Sequence, residues 1–323
     1  MKLIIQIPCY NEEQTLPITL ADLPKEVAGF DHVEWLVVDD GSTDRTVEVA
    51  RAQGVANVVR LTKHQGLARA FMAGLDASLK LGADVIVNTD ADNQYCAGDI
   101  PLLTAPILKG TAQIVIGART IGDMEHFSYV KKHLQKIGSW VVRQASNTNI
   151  PDAPSGFRAI SRDAAMRLNV FNDYTYTLET IIQTGQKNMA ILSVPVRVNQ
   201  DLRPSRLFKS IPSYLGRSIT TIVRIFVVYN PFRFFAVLGC TMFGLGVLIG
   251  LRFLYFYFTG RGTGHVQILI LASVLLGIGF QTILVAFLAD LLAVNRKLME
   301  DVQYRLKKMA YDKGKTNHTE EAV

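Results

Sequence analysis

Asp90-Ala91-Asp92 closes the apolar run Asp84–Thr89 and sets two carboxylates at alternating positions. Alternate side chains of an extended chain share a face, but only a bend or a bridging hard cation brings both carboxylates to one point. Mg²⁺ or Mn²⁺ suits such a pair, because these ions take one or two carboxylates, some water and the oxygens of a substrate phosphate. Gln94, two residues on, offers an amide oxygen to the same ion. A solvated turn carries the same letters, so the motif by itself leaves both readings open. Its place at a strand end favours the metal.

Asp39 ends the apolar run Trp35–Asp39, where an unpartnered carboxylate is costly. Donor groups of a ligand, such as a base or a ribose, would satisfy it. The Gly41-Ser42-Thr43-Asp44 stretch that follows reads as a turn, with Ser42 or Thr43 capping a helix that begins near Arg45. Pro8-Cys9-Tyr10-Asn11-Glu12-Glu13 follows the run Leu3–Ile7 and admits a plain strand-to-helix turn, with Asn11 as cap and two glutamates in the first turn. Arg119 follows the run Gln113–Gly117. Away from a ligand it is an ordinary surface arginine; beside a metal and a diphosphate it would clamp departing charge.

These residues need elements to hold them, and the chain supplies a regular alternation. The β-rich runs are Leu3–Ile7, Trp35–Asp39, Val58–Leu61, Asp84–Thr89 and Gln113–Gly117; helical patterns occupy Thr43–Gln53, Gly66–Leu81 and Gly98–Lys109. This is the rhythm of βαβ units feeding a mainly parallel sheet, and the strands are nearly all apolar, as helices on both faces require. In such sheets ligands bind just past the strand C-terminal ends. The four polar segments fall there.

The C-terminal third is different. Phe234–Phe258 and Val266–Ala289 are apolar almost without interruption, and at ~1.5 Å per residue each helix would cross a ~30 Å hydrocarbon core. A transmembrane hairpin is expected, joined by the short loop Thr259–His265. Pro204–Arg233 carries five basic residues and no acid, and Asn295–Lys315 carries seven basic against three acidic. The positive-inside rule then puts both flanks, the N-terminal domain and the tail in the cytoplasm, at a bacterial inner membrane. Between Lys209 and Tyr229 the apolar residues recur at helical spacing opposite Arg217 and Arg224, which suits a helix lying on the bilayer surface. The expected domains are 1–207, a catalytic α/β unit; 208–231, an amphipathic juxtamembrane helix; 232–294, two spans; and 295–323, a helical tail.

The net charge of +6 follows from these membrane-facing basic clusters and does not call for nucleic acid. Cys9, Cys96 and Cys240 form no CxxC and are odd in number, which fits a reducing compartment. Only five apolar or amide residues separate Lys2 from Pro8, too few for the core of a secretory signal, so no cleaved leader is expected. In the tail, Leu298, Val302, Leu306 and Met309 share one helical face. Self-association and rest on lipid or on the protein's own domain are both consistent with that stripe.

Taken together, the stretches IPCYNEE, VVDDGSTDRT, HQGLARAFMAGL, NTDADNQY, IGAR, DAPSGFRAIS and RPSRLFKS, in this order, resemble the family 2 glycosyltransferases. The resemblance is to the branch containing dolichyl-phosphate mannose synthases and bacterial polyprenyl-phosphate sugar transferases, and it covers roughly Leu3–Leu207. It implies a GT-A (Rossmann-like) fold in which Pro8, Tyr10, Glu12 and Asp39, with Asp90, hold the nucleoside-diphosphate sugar, UDP- or GDP-linked. Asp90, Asp92 and Gln94 would carry Mg²⁺ or Mn²⁺, and Arg119 would face phosphate. Asp152, Arg158 and Glu179 border the sugar and acceptor in the family, although each has a fold-holding alternative. Arg203 and Arg206 resemble a basic loop that meets phosphates near the membrane, with Ser205 ordering it. Lys131 and Lys132 stand where many relatives have arginine, and lysine brings a point charge without the planar fork.

The implied reaction is inverting transfer of a sugar to polyprenyl phosphate at the cytoplasmic membrane face. Asp92, Arg119 and Asp152 are the residues expected closest to the chemistry. A processive polysaccharide synthase would use the same donor fold, but no QxxRW segment occurs. A non-catalytic membrane sensor of nucleotide sugars is the other alternative.

Overall fold

The computed structural model describes residues 1–119, 148, 150–170, 176–200, 224, 227–260 and 266–320. Lys131, Arg203, Ser205 and Arg206, and nearly all of the expected juxtamembrane helix, lie outside the described residues. The chain divides into two compact units, Met1–Leu215 with Glu300–Val323, and Gly216–Met299.

The first unit is built on β1 (Lys2–Cys9), α1 (Leu16–Asp22), β2 (His32–Asp39), α2 (Thr46–Ala52), β3 (Asn57–Arg60), α3 (Leu67–Lys80), β4 (Val85–Asn88), α4 (Ile100–Leu108), β5 (Ile114–Arg119), β6 (Arg158–Ser161), α5 (Arg162–Arg167), α6 (Thr177–Gln186) and β7 (Ile191–Val196). The strands form one seven-stranded sheet in the order β3-β2-β1-β4-β6-β5-β7. All pairings are parallel except those of β6, which runs antiparallel to both β4 and β5.

Apolar side chains on both faces of β1, β2 and β4 explain why these strands are central: Leu3, Ile5, Ile7, Val37, Val85 and Val87 join one buried cluster on one face, and Ile4, Leu36, Val38 and Ile86 are buried on the other. One polar link runs through it. Gln6 Nε2 donates to Asn88 Oδ1 (2.9 Å), tying β1 to the end of β4. The register brings Cys9 level with Asp39 and Gln6 level with Asn88, so the turns after β1, β2 and β4 emerge at one edge. Arg158, at the start of antiparallel β6, pairs with Asn88 and Ile116 and therefore enters at that same edge.

Two strands were not expected from the sequence. β6 is only Arg-Ala-Ile-Ser and opens on a charge, and β7 carries Pro195 and partly exposed residues, so neither shows a continuous apolar run. Their pairing comes from tertiary contact rather than from a local pattern.

Residues Glu300 onward belong to this unit, as the end of the helix α8 (Val266–Glu320). Polar anchors hold it. Tyr304 donates to Asp163 Oδ1 (2.6 Å), the Arg167 guanidinium lies 4.3 Å from the Tyr304 ring centre, Lys307 donates to Asn169 Oδ1 (3.1 Å), and Lys187 pairs with Glu300 (3.0 Å). Tyr311 bonds to Asp76 and accepts at its carbonyl from Arg162. The tail thus rests on its own domain, but not through the apolar stripe, whose residues are exposed.

The second unit contains α7 (Pro231–Phe258) and the first part of α8; each is long and apolar enough to cross a membrane. The two helices meet backbone to backbone. A Cβ at Gly279 would lie 2.5 Å from the Phe243 nitrogen, and one at Gly239 would lie 2.9 Å from the Ile283 nitrogen. Small residues permit this approach where lipid offers no hydrophobic drive between helices. At the hairpin's base, Arg296 donates to the Val228 carbonyl (3.0 Å) and lies over the Tyr229 ring at 4.7 Å.

Candidate active site

The turns after β1 and β2 are laced together. Asn11, with a positive φ of 55°, donates its N–H to Ser42 Oγ and accepts the Thr43 N–H at Oδ1, both at 2.9 Å. Glu12 N–H donates to Thr46 Oγ1 (2.9 Å), and Glu13 N–H to Asp44 Oδ2 (3.1 Å). Asn11 therefore does not cap α1, which starts at Leu16; it bridges to the neighbouring turn. Likewise Asp44, rather than Ser42 or Thr43, takes the Thr46 N–H at the start of α2.

Inside this lattice Asp39 is fully buried. Its Oδ1 accepts the Ser42 N–H (3.0 Å), while Oδ2 has no hydrogen bond and Arg60 Nε stands 3.2 Å away. Arg60 supplies the partner charge that sequence reasoning did not provide, yet one acceptor stays open. Asp40, the adjacent residue, was overlooked. It fastens the loop before α3, accepting the Gln65 and Gly66 N–H groups at 2.8 Å and meeting His64 Nδ1 at 2.8 Å. The His64 ring so held stacks on Tyr10 with centroids 3.9 Å apart. Gly41 is required for this approach: its φ is +71°, and a Cβ there would come within 2.5 Å of the Lys63 carbonyl carbon. The doubled aspartate was the available signal, since neighbouring residues of a strand face opposite ways.

Asp90 and Asp92 follow β4 on a loop pinned from several sides. Asn88 Nδ2 donates to the Gly156 carbonyl and to Tyr176 Oη, each at 2.9 Å. Asn199, beyond β7, donates its backbone N–H to the Gln94 carbonyl (2.9 Å) and its side chain to the Asn93 carbonyl (3.0 Å). Asp90 lies directly on Gly156, where a Cβ would come within 2.8 Å of its carboxylate. Loss of surrounding water pushes the Asp90 pKa up to about 7, with the like charges of Asp92 and Glu12 adding to it and Arg119 and Arg158 opposing. Five charged groups from four separate segments thus share one field. Burial and the charge of Asp90 also raise the phenol of Tyr95 to about 12; it accepts the Gly156 N–H at 3.1 Å.

Asp152 and Arg119 form a bidentate pair, Nε to Oδ2 at 2.8 Å and Nη2 to Oδ1 at 3.0 Å, and the Arg119 N–H adds a third bond at 3.1 Å. Burial acts to lower the Arg119 pKa, but the bond to Asp152 together with the charges of Tyr95, Asp152 and Asp90 outweighs it and holds the pKa above its usual value. Asp152 is therefore engaged in holding Arg119. Arg158 is fully buried; it bonds Thr180 Oγ1 (2.5 Å), the Thr177 carbonyl and the Ser155 carbonyl, so it fixes the Ser155-Gly156 turn to α6 and acts on Asp90 through its field. Burial lowers its pKa against the pull of Tyr176, Tyr95, Asp90 and Asp152. Glu179 is buried in the first turn of α6. Pro8 occupies the penultimate position of β1, in register with Val38.

Among the described residues no group of three or more His, Cys, Asp or Glu side chains could hold a metal. The donor set still fits Mg²⁺ or Mn²⁺ of the kind that shares its shell with a substrate: two carboxylates whose mutual repulsion a cation would relieve, and an amide.

The buried open acceptor of Asp39 and the Asp90–Asp92 pair lie at or just past the carboxyl ends of strands at one edge of a mainly parallel sheet, the place where such α/β folds hold their ligands. The chain belongs to glycosyl transferase family 2, whose model matches residues 4–168. It is 29% identical over 235 residues to the undecaprenyl-phosphate mannosyltransferase of Micrococcus luteus, covering 69% of this chain and 93% of that one. It is 27% identical to the UDP-N-acetylglucosamine–dolichyl-phosphate N-acetylglucosaminyltransferase of Methanococcus voltae, over 59% of this chain and 83% of the relative. A similar solved structure is glucosyl-3-phosphoglycerate synthase of Mycobacterium tuberculosis in complex with Mn²⁺, UDP and glucosyl-3-phosphoglycerate: TM-score 0.53, 22% identity, 70% of this chain and 78% of that chain covered.

Proposed function

We propose that this glycosyltransferase moves a sugar from a nucleoside diphosphate to the phosphate of a membrane polyprenol, at the cytoplasmic face and with inversion. The carrying observation is the Asp90–Asp92 pair at the same sheet edge as the open acceptor of Asp39, in a chain that also has two helices able to cross a membrane. Relatives whose names give undecaprenyl-phosphate and dolichyl-phosphate acceptors support the acceptor class, while their sugars differ. The Mn²⁺ and UDP of the solved structure support the donor class and the cation.

In this reading Asp39 takes donor groups of the base or ribose, with Tyr10 and His64 as a flat wall beside it. Asp90, Asp92 and Gln94 hold the divalent ion, which when bound would supply positive charge to the leaving diphosphate. Arg119, held by Asp152, adds fixed positive charge to the same region without having to reorganise during reaction. The attacking group is a phosphate monoester, whose second pKa is about 6, so it arrives ionised. No side chain has to remove a proton. An acceptor phosphate oxygen bonds to the anomeric carbon as the bond from that carbon to the diphosphate breaks, and the nucleoside diphosphate departs. Lys131, Arg203, Ser205 and Arg206 are proposed to meet acceptor phosphate.

The test incubates the purified full chain with a panel of UDP- and GDP-sugars, polyprenyl phosphate and Mg²⁺ or Mn²⁺, and reads the glycolipid by mass. One donor should give product, chelation should abolish it, and Asp92→Asn should lose transfer while keeping the fold. Nucleotide-sugar binding with no glycolipid from any donor would return the protein to a sensor role, and an Asp92→Asn variant with near-normal turnover would remove the metal assignment.

A further inference from the structure

Three successive carbonyls of the loop after Asp92 converge on one residue that lies beyond the end of β7. Asn199 donates its backbone N–H to the Gln94 carbonyl at 2.9 Å, and its side-chain Nδ2 to the Asn93 carbonyl at 3.0 Å and the Tyr95 carbonyl at 3.3 Å. An asparagine amide has two N–H groups, and both are spent here. The bond to Asn93 bears on Asp92. The Asn93 carbonyl and the Gln94 N–H belong to one planar trans peptide unit and point in opposite directions. Asn199 holds the carbonyl end, so the N–H end is aimed at Asp92 Oδ1, which accepts it at 3.3 Å. The bonds to the Gln94 and Tyr95 carbonyls fix the backbone from which the Gln94 side chain departs. Asn93 makes the turn with a positive φ of 55°, and its own amide is tied to Asp22 at 2.6 Å.

We propose that Asn199 is a positioning residue for sugar transfer. Through the Asn93–Gln94 peptide it aims the Asp92 carboxylate, and through the Gln94 backbone it seats the neighbouring amide, in the arrangement a divalent cation requires. Mg²⁺ demands near-ideal octahedral geometry, so ligands held in place before it arrives bind it better than ligands that must first be ordered. Groups that hydrogen-bond to metal ligands and orient them typically weaken metal binding by about 10- to 100-fold when lost. Holding the segment down is a separate task, carried by its neighbour. Arg197 Nη2 meets the buried Asp99 Oδ1 at 2.6 Å, and the Arg197 N–H donates to Asp99 Oδ2 at 2.7 Å. Asn199 is thus free of the anchoring role and its three bonds all go to the loop that carries Asp92 and Gln94. The inference rests on the reading of those two residues as cation ligands.

The test measures Mn²⁺ binding to the full chain by electron paramagnetic resonance, with and without UDP or GDP, for the unaltered protein and for Asn199→Asp, Asn199→Ala and Arg197→Gln. Asn199→Asp keeps the side-chain shape and the backbone bond but has no N–H to give the two carbonyls. It should weaken Mn²⁺ binding at least tenfold and lower kcat by at least as much, while KM for polyprenyl phosphate stays within about twofold. Asn199→Ala removes the same donors without adding charge and should show a smaller loss of the same kind, so a failure of Asn199→Asp to fold does not end the test. Arg197→Gln strips the buried Asp99 of its cation and should lower Tm while Mn²⁺ affinity stays within about twofold. Near-normal Mn²⁺ affinity in both Asn199 variants, or an equal loss in Arg197→Gln, would overturn the assignment while leaving the cation reading intact. An unaltered protein that binds no Mn²⁺ in any of these conditions would refute the cation reading and the assignment with it.

Discussion

At the scale of single residues, the chemistry is set by which charges are forced together. Asp90 carries a pKa near 7 because it loses water and faces Asp92. The unfolded chain would ionise it near 3.9, so between about pH 4 and 7 the folded state binds the extra proton and its stability falls as pH rises through that window. A cation must displace that proton, so Mn²⁺ affinity of the nucleotide-free protein should climb from pH 5.5 and level off above about 7. Titration of Mn²⁺ by electron paramagnetic resonance measures this; a flat affinity would contradict the field described here. Asp152 makes a second case. Replacing it by alanine strands the largely buried Arg119 guanidinium, a loss of about 3–5 kcal/mol. Chemical denaturation should show the loss, and Asp152→Asn should recover part of it.

At the scale of elements, β6 and α8 do what the sequence pattern hides. The antiparallel β6 delivers Arg158 and the Ser155-Gly156 turn to the edge where β1, β2 and β4 end, because its first residue stands opposite Asn88. The end of α8 covers α5 through directional polar contacts rather than apolar burial. Tyr304→Ala removes two hydrogen bonds, one to Asp163 and one from Arg167, and one cation–π contact, together about 1–3 kcal/mol. Amide exchange of α5 and of the α8 end should rise together, while the β1 and β4 amides keep their protection. Unchanged exchange at α5 would mean that the tail contributes nothing there.

At the scale of the whole molecule, the proposed reaction sets two different solubility problems, which a sheet holding a soluble donor and a hairpin able to cross a membrane would answer separately. A polyprenol tail cannot leave the bilayer, so the enzyme has to be held at it. A chain ending at Asn230 should keep nucleotide binding within about threefold, since Ser42 holds Asp39 while Gly156 and Asn199 pin the loop that carries Asp90 and Asp92, all before Gln200. Its turnover of bilayer-embedded acceptor at low lipid concentration should fall at least tenfold. Calorimetry and the glycolipid assay separate the two, and undiminished turnover would deny the hairpin its role.

Local sequence determined the strands of the parallel half, the crevice edge and the two apolar helices, because each depends on a short-range pattern: continuous apolar runs buried on both faces, polar turns after them, and hydrophobic stretches too long for a soluble helix. Asp39 and the Asp90-Ala91-Asp92 pair were legible for the same reason, as charges ending apolar strands. Tertiary structure alone decided which charges meet. That Arg60 approaches Asp39, that Arg119 is held by Asp152, and that the polar rather than the apolar face of the tail docks all depend on residues between 21 and 141 positions apart in the chain. No local periodicity encodes such pairings, since they are fixed by sheet order and by the antiparallel entry of β6.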